Sequence, residues 1–128
     1  MKIKLKTALL ANAIFSSLSG IGMLLFSTWL SGLMGIGNEL VLPIIGIGLI
    51  LFSLTIVYHA TRSSINANQV KLIIAQDLTW VLGSLAIIMF GLFGLTAIGH
   101  VLIGIVAVAV ADFAYLQYRG MLAITDIE

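Results

Sequence analysis

The sequence predicts an all-α, polytopic membrane protein: a bundle of four transmembrane helices with both termini on the same side. Three observations lead there. The composition is 61% hydrophobic and 9% charged over 128 residues, with a mean hydropathy of +1.21. A soluble domain carries about 25% charged residues, and one this short would leave much of its apolar surface in water. Four apolar stretches, each long enough to cross a hydrocarbon core about 30 Å thick as helix, are separated by short connections. All six basic residues fall on one side of the resulting serpentine path.

The expected spans run approximately over 7–30, 40–60, 70–93 and 96–118, within a single membrane domain 1–128. Strands of a transmembrane barrel would alternate apolar and polar residues over about ten positions, and "LVLPIIGIGLILFSL" does not. Among the connections, "SGLMGIGNE" is Gly-rich, "TRSSINANQ" is polar and "GLFGLT" reads as a tight hairpin. Asn38 and Thr96 are expected N-caps of the second and fourth spans, and Gly120 is expected to close the fourth as a C′ glycine. Ser16 and Gly20 form a small-xxx-small element suited to close helix approach. The N-terminal "MKIKLKTALLANAIFSSLSG" has the layout of a signal peptide. Its apolar run continues through "IGMLLFSTWL", so we read it as a retained first helix.

Lys2, Lys4 and Lys6 precede the first span, Arg62 and Lys71 flank the middle connection, and Arg119 follows the fourth span. The positive-inside rule then puts both termini and the middle connection in the cytoplasm. Each half is a helical hairpin with a polar residue early in its first helix, Asn12 or Asp77, a weak internal echo.

At 1.5 Å per residue, Asn12, Thr55, Asp77 and Asp112 each lie about 9–10 Å inside the basic end. An ionisable side chain within a span costs about 2.5–3.5 kcal/mol on insertion scales, so it is expected to face the interior and find a partner. Asp77 and Asp112 at one level invite a shared proton, with Asn12, Trp80 and Tyr115 as hydrogen-bonding neighbours. The candidate polar site is therefore Asn12, Thr55, Asp77, Trp80, Asp112 and Tyr115. On the fourth span, the face expected inside carries His100, Gly104, Val108, Asp112, Tyr115 and Arg119.

No cysteine is present, and His59 and His100 lie near opposite ends, so neither metal nor cofactor is expected. There is no phosphate-binding Gly-rich loop, HExxH or GxSxG, and catalysis is not expected. A net charge of +1 without a basic patch argues against nucleic acid.

"ANAIFSSLSG", "QDLTWVLGS" and "VAVADFAYLQYRG" together resemble a group of uncharacterised small four-span bacterial inner-membrane proteins, over nearly the whole chain. The resemblance implies location and topology, with no activity to carry over. Two roles follow as expectations. The first is a structural or accessory inner-membrane protein in contact with the lipid bilayer, with a membrane-protein partner or a second copy. The second is a ligand-binding or proton-coupled transport protein using Asp77 and Asp112.

Overall fold

The computed structural model describes residues 5–126. It is all-α: α1 (Leu5–Leu25), α2 (Ser27–Met34), α3 (Val41–Ala60), α4 (Ala67–Phe90) and α5 (Ala97–Asp126), with a short 3-10 turn at Leu92–Gly94. Of these, α1, α3, α4 and residues 97–123 of α5 are long and apolar enough to span a bilayer. The first expected span is divided at Phe26, yet its hydrogen-bond ladder continues: Phe26 N donates to Gly22 O and Leu30 N to Phe26 O.

The ends of the helices follow local chemistry. Thr96 behaves as expected, its Oγ1 accepting from Gly99 N at 3.0 Å and satisfying a donor that the first turn leaves open. The same hydroxyl donates to Leu33 O at 2.7 Å, which ties α5 to α2. Asn38 Oδ1 accepts from Leu40 N and shapes the turn just before α3 rather than capping its first residue. Asn66 caps α4, accepting from Asn68 N, so that helix starts three residues earlier than the hydropathy indicates. Gly91, at φ +59°, ends it through the left-handed conformation that only glycine takes cheaply. Gly120 does not terminate α5, which runs to Asp126. A β-carbon built on Gly120 would stand 2.9 Å from Leu5 Cα, so its role is to let α1 approach α5.

Buried positions recur three and four residues apart on every long helix: Leu9, Asn12, Ala13, Ser16 and Gly20 on α1; Ser53, Ile56 and Ala60 on α3; Val70, Ile73 and Asp77 on α4; Ala107, Val110, Ala114 and Gln117 on α5. The opposite faces expose Leu18, Leu51, Leu82 and Val108, as suits helices surrounded by lipid.

Around the bundle, α3 packs on α1, α1 on α5, and α5 on α4. The α1–α3 crossing is tight because Gly20 and Gly46 face one another, each blocking the space a side chain on the other would need. In contrast, α3 and α4 do not pack along their lengths, although they are consecutive in the chain. Among the described residues, they share a buried cluster at the end bearing Lys6, Arg62, Lys71 and Arg119. There Ile56 and Ala60 join Leu5, Leu9, Val70, Ile73 and Met121 in one hydrophobic cluster.

Candidate functional site

Immediately above that cluster lies a closed triangle of polar side chains from three helices. Asn12 Nδ2 donates to Asp77 Oδ2 and to Gln117 Oε1, both at 2.9 Å. Gln117 Nε2 donates to the same Asp77 oxygen at 2.8 Å. Ser16 Oγ, one turn along α1, donates to Asn12 Oδ1 at 3.1 Å. Asn12 and Gln117 are fully buried and Asp77 is 3% exposed. Since α1 and α4 form no extended packing, the Asn12–Asp77 bond is what links them directly.

The sequence reading placed Asn12 and Asp77 at one depth, and the structure joins them. Asp112 is a correction: it is exposed on the outer face of α5 and does not meet Asp77. Two positions along a helix differ by about 200°, so Asp112 points away from the face that carries Val110 and Ala114. The pair of carboxyls needed for a shared proton is therefore not assembled. Tyr115 also lies outside, where its hydroxyl accepts from Arg119 Nη1 at 2.7 Å. Thr55 faces outward as well, its hydroxyl bonded to Leu51 O of its own helix. Trp80 is half-buried and lines the interior.

Gln117 takes the position anticipated for Asp112, and the sequence reading missed it. A usable signal was present: Ala107, Ala114 and Gln117 mark the face on which small residues permit close approach, whereas Val108 and Tyr115 crowd the other. As Asp112 contributes nothing to the buried network, Asp112→Asn is expected to leave the unfolding midpoint of the purified protein unchanged. A marked loss of stability by thermal scan would place Asp112 inside the bundle.

Beyond the triangle, away from the basic end, the interior is incompletely filled. A cavity of about 360 Å³ is bounded by Phe15, Ser16 and Ser19 of α1, Ile45, Gly48, Leu49 and Phe52 of α3, Gln76, Asp77 and Trp80 of α4, and Val106 and Val110 of α5. Two further cavities, of about 230 and 520 Å³, continue toward the other end as far as Gly37, Asn38, Phe93 and Leu95. Trp80 lines all three.

Asp77 Oδ1 accepts no hydrogen bond from the described residues, because both amide donors are directed to Oδ2. The Ser31 hydroxyl and His100 Nε2 are buried without partners among the described residues. No group of three or more metal-ligating side chains comes together there.

No family profile matches the chain, and no curated protein or solved structure matches it significantly. The four-span architecture stands on the helices themselves.

Proposed function

We propose that the protein is a structural or accessory component of a bacterial inner membrane, in which the Asn12–Asp77–Gln117 triangle fixes how two helical hairpins sit against each other. The observation carrying this reading is the closure of the triangle. Its three interhelical hydrogen bonds link α1, α4 and α5, and the hydrophobic cluster beside it covers the network at the basic end. Interhelical hydrogen bonds in membranes contribute about 0.6 kcal/mol each on average. Their larger value is positional, because a mispaired arrangement would leave a carboxylate in a medium that cannot solvate it.

The proton-coupled alternative loses its geometric support with the outward position of Asp112. For orientation, the clustering of basic side chains at one end supports cytoplasmic termini by the positive-inside rule. Two measurements test the proposal. Asp77→Asn in lipid nanodiscs is expected to lower the unfolding midpoint while preserving helical content. A midpoint equal to that of wild type would remove the structural role. Reporter fusions in a bacterial host should show a cytoplasmic C-terminus and an external 35–38 connection, and the reverse pattern would overturn the orientation.

A further inference from the structure

We propose that the cavity bordering Asp77 is a binding site for an amphipathic primary amine drawn from the bilayer, with the ammonium group donating to Asp77 Oδ1 and the apolar part extending past Trp80.

Three features converge on this assignment. Asp77 is almost wholly buried, yet one carboxylate oxygen has no donor from the described residues and the side chain borders a cavity. A carboxylate on the wall of a largely apolar cavity, with one oxygen lacking a donor, is costly, and an N–H-bearing cation satisfies both its charge and its acceptor capacity. The second feature is the remaining lining. It is largely apolar and includes the Trp80 indole, a broad hydrophobic wall for a hydrocarbon chain. A volume of about 360 Å³, continued by the neighbouring cavities, accommodates a hydrocarbon tail as well as the head group.

The third feature is access. The cavity is bounded by both α3 and α4, which do not pack against each other along their lengths. Gly48 of α3 and Gln76 of α4, both lining residues, are exposed at this seam, and a β-carbon on Gly48 would meet nothing within 4 Å. A bilayer-dissolved molecule can therefore reach Asp77 laterally, while the hydrophobic cluster blocks the basic end. The clasp and the site use different oxygens of one carboxylate, so a structural role for Oδ2 does not occupy Oδ1.

The test uses the full chain with Trp29→Phe, leaving Trp80 as the one tryptophan, in phosphatidylcholine nanodiscs. Decylamine should produce a saturable change in Trp80 fluorescence. Decyltrimethylammonium, which has no N–H donor, and decanol, which has no charge, should show only the linear change of partitioning into lipid. Asp77→Asn and Val106→Phe, the second filling the cavity without touching the carboxylate, should each weaken decylamine binding by about tenfold or more. Thermal scans establish that each variant is folded, and if Asp77→Asn is not, Val106→Phe decides.

An absent saturable signal, equal saturable binding of decanol, or unchanged affinity in a folded variant would overturn the site. Adding phosphatidylethanolamine to the nanodiscs separates two sources of the same chemistry. Weakened decylamine binding would identify a lipid head group as the occupant and unchanged binding a free amine, and both sustain a primary-ammonium site. A stability loss without a binding loss would support the clasp alone and overturn the site.

Discussion

Replacing Asn12 with leucine is expected to lower the unfolding free energy by about 2–3 kcal/mol, measured by denaturant titration in mixed micelles or nanodiscs. Leucine keeps the branching of asparagine at Cγ but is larger, so some overpacking adds to the loss of hydrogen bonds. What is lost is a donor shared between Asp77 Oδ2 and Gln117 Oε1, together with the acceptor used by Ser16. The average membrane hydrogen bond would predict a smaller effect, about 0.6 kcal/mol. The larger value follows because Asp77 stays buried with a single remaining donor, Gln117 Nε2, and removing one partner of a buried charge costs more than the pair contributes. Gln117→Leu should behave similarly, and the double variant should cost less than the sum of the two because either single change already removes the Asn12–Gln117 hydrogen bond. Strict additivity, or a loss below about 0.5 kcal/mol for Asn12→Leu, would show that the triangle does not hold the hairpins together.

Gly46→Leu is expected to have a comparable or larger effect, about 3 kcal/mol, by a steric route. A β-carbon on Gly46 would stand 2.7 Å from Gly20 O and 3.2 Å from Met23 Cβ. The first of these is a backbone atom, which can yield only if α1 and α3 move apart. Separation would weaken the most extensive helix pairing in the protein. Gly48→Ala, two residues further along the same helix, provides the contrast. With nothing within 4 Å of its β-carbon, it should leave stability unchanged or raise it by up to about 1 kcal/mol through helix propensity. Equal responses at the two glycines in an unfolding titration would show that α1 and α3 do not cross where Gly20 meets Gly46.

Depth was legible in the sequence because it depends on one quantity, the rise per residue from a charged end. Asn12 and Asp77 were placed at one level on that basis, and they are hydrogen-bonded. The face of each helix was harder to read. In a soluble bundle the solvent side is polar, so periodicity reveals the inner face. Here the outer face is apolar as well, as Leu51, Leu82 and Val108 show, and the contrast that would have set the azimuth is nearly absent. On the fourth span the polar residues are expected to face inward, whereas Asp112 and Tyr115 lie outside. Gln117 gives little signal in the sequence because it is uncharged and close to the basic end, although the small residues Ala107 and Ala114 mark its face.

The sequence by itself determined the number of spans, the end at which the basic residues gather, and the common level of Asn12 and Asp77. Hydrophobic length and charge position are properties of the chain read in one dimension. Only the tertiary structure decided that Gln117 rather than Asp112 completes the layer, that Gly20 and Gly46 meet, and that the seam between α3 and α4 stays open beside Asp77. Each depends on how helices rotate and approach one another. In lipid, that rotation is set by the fit of small residues and the pairing of a few polar groups, which no single segment contains.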